Sequence, residues 1–464
     1  MSGMTNNLPG LPFNVTSRII AVSDLDMHIL EARPPPSEQI PAPKPPLLVL
    51  LHGFPEIAYS WRKVMGPLAA SGYAVVAPDQ RGFGRTKERD RQPPGRMTTY
   101  EDDLSPFRML NLTTDIVALV YALGYTSVAA VIGHDFGSLV AAYCALIRPD
   151  VFRSVVMMSA PFNGPPALST PATANAKPFI QQVDEMLANL DPPRKHYTMY
   201  FSSPQANADM MSPPQGLHTF LRTYYHVKSA DWKTNNGARP LGGISPAAVA
   251  SMPYYYIMPR SQSMPACLAP SAPSAEEIRS NTWLPDDELA VYTSQYTATG
   301  FQGGFNWYRC QTDPNRWAKD LQVFAGKQIE VPAMFIGGAQ DWGVYQLPGA
   351  VEAMRMKVCK NMEEDFVLVE GAGHWVQQEK PEVVVWHLLR FVWKLDVLWM
   401  EEDWVLLFFG KMSLLERQYL EQCNTNHWTS KTMREARSRI LFLRVVETMF
   451  VDFLGFPTLC SWEQ

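Results

Sequence analysis

Three residues suited to nucleophilic and acid–base work, Asp135, Asp341 and His374, each stand just past a short apolar run. Asp135 is the centre of Gly133-His134-Asp135-Phe136-Gly137, after the run 128–132 and before the helical pattern LVAAYCALIRPD. Strand, glycine-flanked turn and helix is the frame of a nucleophile elbow, which exposes its middle residue on a strained turn. Serine is the usual occupant; Asp135 makes the attacking group a carboxylate. A histidine base, His374, and a carboxylate to orient it, Asp341, complete the order nucleophile, acid, base. A single Asp in a Gly turn is more often a stabiliser of that turn, so the rest of the chain decides.

Residues this far apart in sequence converge only if strands bring them to one edge. The run 47–51 is continuously apolar, as in a strand buried on both faces, and ends in His52-Gly53-Phe54-Pro55-Glu56. A helix is expected over 59–71, a strand over 74–77, a helix over 110–123, and further strands over 154–159, 331–336 and 366–369. An alternating segment over 17–30 predicts a leading strand pair, and the proline-dense 33–46 predicts a loop. Strands alternating with helices indicate an α/β chain with a doubly wound, mostly parallel sheet, and ligands of such sheets bind at the carboxyl ends of the strands.

Between 164 and 311 the alternation stops, and Pro, Met, Tyr and Ser dominate. This stretch reads as an inserted, mainly helical lid with one long Pro/Ala/Ser-rich loop near 266–275. The expected organisation is a first core part over 1–163, a lid over 164–317, a second core part over 318–395 ending in a helix over 379–395, and an extension of unassigned role over 396–464. Within that extension 434–454 has the pattern of an amphipathic helix.

Composition narrows the functions. The 464 residues, 46% hydrophobic and 18% charged, describe an ordinary globular protein. A net charge of -5 gives no electrostatic reason to expect nucleic acid. Six widely spaced cysteines without a CxxC pair read as reduced thiols, with no zinc site and no disulfide framework. No basic start with an apolar run is seen at the N-terminus, and no segment of about 18 uncharged apolar residues. The expectation is a cytoplasmic protein without a membrane span, and its chemistry calls for no metal and no cofactor.

The combination of motifs resembles the epoxide hydrolase group of the α/β-hydrolases. It is carried by His52-Gly53-Phe54-Pro55-Glu56, Tyr59-Ser60-Trp61-Arg62, Gly133–Gly137, Gly304-Phe305-Asn306-Trp307-Tyr308-Arg309 and Gly371-Ala372-Gly373-His374-Trp375, and runs from about residue 20 to 395. The resemblance implies an epoxide and water as substrates, Asp135 as nucleophile, His374 as base and Asp341 as its orienting acid. It also implies two lid tyrosines, Tyr308 and Tyr197, that donate hydrogen bonds to the epoxide oxygen; Tyr200 and Tyr254–Tyr256 compete with Tyr197 for that role. Ring opening near neutral pH needs such an acid besides a nucleophile. The backbone N–H groups of Phe54 and Phe136 are the expected oxyanion donors. Phe136 and Trp307 are candidates to touch the substrate, although lid aromatics such as Trp307 and Phe301 more often serve packing.

Two departures from the family pattern bear on specificity. Phe136 follows the nucleophile where Trp is frequent, and Ser138 follows Gly137 where Gly or Ala is frequent. Phe136 brings no indole N–H to hold a departing halide, which weighs against a haloalkane-type dehalogenase using the same Asp–His–Asp machinery. A catalytically silent binding protein on this fold is the alternative outside enzymes, and a serine esterase is disfavoured by Asp135.

Overall fold

The computed structural model describes residues 8–36, 44–91, 93, 95–171, 177–362 and 365–397. The chain forms two compact units, 1–392 and 393–464. Of the second only 393–397, the end of a helix, is described, so the expected extension from 398 onward and its amphipathic stretch 434–454 lie outside the described residues.

Eleven strands occur among the described residues: β1 (Val15–Val22), β2 (Leu25–Ala32), β3 (Leu47–Leu51), β4 (Ala74–Pro78), β5 (Lys87–Glu88), β6 (Ala130–His134), β7 (Val155–Met158), β8 (Arg194–His196), β9 (Ile257–Pro259), β10 (Ala333–Gly338) and β11 (Phe366–Val369). Nine of them form one sheet in the order β1-β2-β4-β3-β6-β7-β10-β11, with β5 paired to β2. The hairpin β1–β2 and its junction with β4 are antiparallel, and the ladder from β4 through β11 is parallel. β3, β4, β6, β7 and β10 are buried along their whole length, which is why their sequences are unbroken apolar runs. β3 lies between β4 and β6, so the chain leaves β3 in one direction and returns on its other side. That reversal is a topological switch point, and a crevice opens there at the strand ends. The residues following β3 and β6 border it.

Helices α1 (Arg62–Ala70), α2 (Met109–Ala122) and α3 (Phe136–Ile147) cover the sheet in the first half of the chain. Between β7 and β10 the chain builds the lid from α4 (Phe179–Ala188), α5 (Tyr197–Phe201), α6 (Ala206–Met211), α7 (Leu217–Lys228), α8 (Pro246–Val249), α9 (Met264–Leu268), α10 (Ala275–Ser280), α11 (Asp286–Thr299), α12 (Gln302–Thr312) and α13 (Pro314–Leu321). Two details of the lid correct the sequence reading. The expected long loop near 266–275 is largely short helices. Pro265 and Pro270 occupy first-turn positions, where a missing N–H costs little, and Ser274 with Glu277 forms a capping box that starts α10. The lid also contains the antiparallel pair β8–β9.

After β10 come α14 (Ala350–Ala353), α15 (Val376–Glu379) and α16 (Pro381–Val397). The helix expected over 379–395 is α16, which starts two residues later, with Pro381 opening it. No helix among the described residues is long and apolar enough to cross a membrane.

Buried polar contacts dock the lid on the sheet domain. Arg62 of α1 pairs with Glu288 of α11, donates to the Gln378 side chain at 2.7 Å and to the Trp283 carbonyl at 3.2 Å. The Tyr225 hydroxyl donates to the Pro55 carbonyl at 3.1 Å, and the Trp375 indole N–H to the Tyr225 carbonyl at 2.8 Å.

Candidate active site

The elbow is built by close approach. A Cβ on Gly133 would lie 2.0 Å from the Gly137 carbonyl oxygen, so only glycine lets β6 turn directly into α3. Asp135 sits between them at φ 53°, a left-handed conformation that a non-glycine residue adopts only when its surroundings enforce it. Its N–H donates to the Met158 carbonyl at 3.0 Å, and its carbonyl accepts the Ser138 N–H at 3.0 Å. Ser138, unusual for the pattern, uses its hydroxyl to donate to the Ala160 carbonyl at 2.7 Å.

Asp135 presents its carboxylate to a cavity of about 1350 Å³ that Phe136, Tyr197 and Tyr308 also line. One carboxylate oxygen accepts the Phe54 N–H at 3.0 Å. Phe136, the second expected oxyanion donor, is the first residue of α3, whose amino-terminal end carries partial positive charge. His374 Nδ1 lies 3.1 Å from each oxygen of Asp341, and Nε2 lies 3.3 Å from Asp135 Oδ2. The Asp341 contact makes Nδ1 the donor; the Nε2 contact lacks hydrogen-bond alignment, so that nitrogen stays open to a water molecule. Asp341 in turn accepts the Gly343 N–H at 2.6 Å.

The electrostatics follow from these neighbours. Burial opposes ionisation of Asp135, yet His374, Lys228 and His134 together hold its carboxyl well below the usual range. Asp341 is likewise buried and is likewise held down, by His374, the Gly343 N–H and Lys228. Burial and Lys228 push the His374 pKa down, and Asp341 and Asp135 outweigh them, so it ends above its ordinary value. Burial, reinforced by Asp135, pushes both Tyr197 and Tyr308 up, so the phenols keep their protons. Their ring centroids are 5.9 Å apart.

His374 is fixed by its backbone as much as by its ring. Its N–H donates to the Lys228 carbonyl at 2.8 Å, and its carbonyl accepts His134 Nε2 at 2.7 Å and the Ser159 hydroxyl at 3.1 Å. His134 Nδ1 meets Glu56 at 2.7 Å, so both ring nitrogens face oxygen atoms. Glu379 accepts the N–H groups of Gly373 and Trp375, at 3.0 Å each, and that of Ala230 at 2.9 Å. His52 orients backbone, with Nδ1 on the Gly53 carbonyl at 2.9 Å and Nε2 accepting the Gln80 N–H at 3.1 Å.

Asp135, Phe136, Tyr197 and Tyr308 thus line one cavity, and His374, Asp341 and Phe54 join them through the contacts of His374 and Phe54 with Asp135 and of Asp341 with His374. Trp307, a candidate to touch the substrate, is placed among packed rings. Its buried indole packs on Phe83 and Phe136, donates to the Arg81 carbonyl at 3.0 Å, and lines no part of the cavity. Sequence reading missed Lys228 and Glu379. Glu379 carries one signal, a carboxylate five residues past the base; Lys228 carries none.

A family model described as alpha/beta hydrolase fold matches residues 46–240. Epoxide hydrolase A of Mycobacterium tuberculosis (strain ATCC 25618 / H37Rv) is 30% identical over 389 residues, covering 82% of this chain and 98% of the relative. Epoxide hydrolase 2 of Siraitia grosvenorii is 29% identical over 354 residues, covering 75% and 92%. Among solved structures, an epoxide hydrolase from an endophytic Streptomyces superposes with a TM-score of 0.64 at 27% identity, covering 83% of this chain and 97% of its own. Potato (Solanum tuberosum) epoxide hydrolase I gives 0.61 at 29% identity, covering 82% and 99%.

Proposed function

Because this chain belongs to the epoxide hydrolases of the α/β-hydrolase fold, we propose that it converts an epoxide and water to a vicinal diol through a covalent ester on Asp135. The observation that carries this reading is the Asp135 carboxylate, ionised on a strained elbow, facing a cavity lined by two protonated phenols.

In the first step a carboxylate oxygen of Asp135 attacks one ring carbon, and the bond from that carbon to the epoxide oxygen breaks. Tyr197 and Tyr308 hold that oxygen, and one of them gives it a proton. In the second step water attacks the ester carbonyl while His374 Nε2 takes one of its protons. The Phe54 and Phe136 N–H groups receive the oxyanion. Its collapse breaks the bond from the acyl carbon to the diol oxygen, which takes the second proton of that water, and restores the Asp135 carboxylate, while the proton on His374 returns to the tyrosinate. Asp341 holds the imidazole with Nδ1–H turned away from the water throughout. Residues 164–317 serve as the lid over core parts 1–163 and 318–395 in this scheme. The free, buried thiols of Cys144, Cys267, Cys310 and Cys359 suit a reducing, cytoplasmic setting.

A single turnover with an aryl epoxide in ¹⁸O water tests the scheme. The expected first diol is unlabelled, with the label in Asp135; a labelled first diol means direct attack by water and overturns the ester.

A further inference from the structure

Lys228, the last residue of α7, is buried, at 3% exposure, beside the catalytic machinery. Its ammonium lies over four aromatic rings, 4.9 Å from the centroid of Tyr256, 5.5 Å from Tyr224 and Trp375, and 5.8 Å from Tyr255. Trp375 also packs on the His374 ring, at 4.6 Å between centroids. The same lysine's carbonyl accepts the His374 N–H, and the strands of chain touch so closely that a Cβ on Gly373 would lie 2.6 Å from that oxygen. The lid therefore delivers one cation to the base along with a backbone clamp.

We propose that Lys228 is a positioning residue that makes His374 a competent base after the ester has formed, by opposing protonation of the imidazole. The inference rests on the ester reading of Asp135. In the resting site His374 faces two carboxylates, Asp341 and Asp135, both of which favour its imidazolium form. Ring opening turns the Asp135 carboxylate into a neutral ester and passes its charge to the epoxide oxygen. One of the two anions supporting an imidazolium is then gone. Asp341 and the Lys228 ammonium remain, and their effects on the imidazole have opposite signs. A proton held by His374 in the resting site then passes through water in the cavity to solvent, so Nε2 is free at the stage when the attacking water must be deprotonated.

The charged groups around the pair are consistent with this role. Burial lowers the proton affinity of Lys228, and Asp135, Asp341 and Glu56 raise it. The remaining neighbours are the phenols of Tyr224, Tyr255 and Tyr256, which burial keeps protonated, and the His134–Glu56 pair on the His374 carbonyl. An aromatic cage retains a cation without neutralising it.

The test is rapid-quench single turnover of the full chain across pH, following the ester by intact mass and the diol by chromatography. In Lys228→Met the midpoint of the ester-breakdown profile is expected to move up by about one pH unit, with ester formation changed much less. Lys228→Arg is expected to restore the wild-type profile, and Lys228→Gln replaces Lys228→Met if the latter does not fold. An unmoved profile, a downward move, or a move that arginine does not reverse overturns the role of Lys228. Failure to trap any ester in wild type at any pH overturns the underlying ester reading instead, so the two failures are distinct.

Discussion

The two walls of the cavity are made differently. On the sheet side, the elbow and the His374 loop are held by backbone: Asp135 by Met158 and Ser138, His374 by Lys228, His134, Ser159 and, through its neighbours, Glu379. On the lid side, Tyr197 and Tyr308 are held by rings, each packed edge-on against Phe201 and against the other. Hydrogen bonds to backbone fix a position to a few tenths of an ångström and demand particular residue types. Ring packing tolerates exchange of one aromatic for another of similar volume. The sheet wall is thus specified by geometry and the lid wall by volume. The proposed reaction divides accordingly, with its nucleophile and base on the first and its proton donors on the second.

Removing the nucleophile is the harshest probe of the sheet wall. Asp135→Ala is expected to lower diol formation by roughly 10⁴-fold or more, to be read by steady-state chromatography. Retention of activity within tenfold would abolish the distinction between the walls.

The lid wall is expected to give less. Tyr197→Phe combined with Tyr308→Phe should slow ring opening by roughly 10²–10³-fold in single turnover, while the melting temperature stays close to wild type because the rings remain. An unchanged opening rate would remove the lid from the chemistry.

The smallest effect concerns the clamp behind the base. Burial pushes Glu379 up to about 7, against three N–H donors that favour its ionised form. A carboxyl whose folded pKa lies above its ordinary 4.5 contributes stability that is fully present below that value and lost as pH rises through about 7. Wild-type stability measured against Glu379→Gln in urea should therefore decline between about pH 5 and pH 8. A difference that grows over this range would show that the three N–H groups prevail over burial.

The same division accounts for what could be read in the chain. Strands buried on both faces are legible as apolar runs: 47–51 coincides with β3, and 74–77 falls within β4. The elbow is legible because Gly133 is imposed by a 2.0 Å approach. In the lid the signals mislead: prolines that read as a loop at 266–275 begin short helices, and Trp307, which resembles a substrate contact, spends its N–H on the Arg81 carbonyl. Lys228 leaves no mark in the sequence and Glu379 only its spacing from His374, because a lysine or glutamate acquires its role only once folding has buried it beside particular partners.

The latch between Arg62 and Glu288 bears on how the lid answers to the solvent. Arg62 is wholly enclosed and Glu288 nearly so, and the Gln378, Trp283 and Tyr59 oxygens accept further guanidinium N–H bonds. Dissolved ions screen charges that they can approach, and here they have no path. Ionic strength consequently has little hold on this latch, whereas the lid's partly exposed pairs, Arg108 with Asp320 and Arg316 with Asp103, stay open to screening.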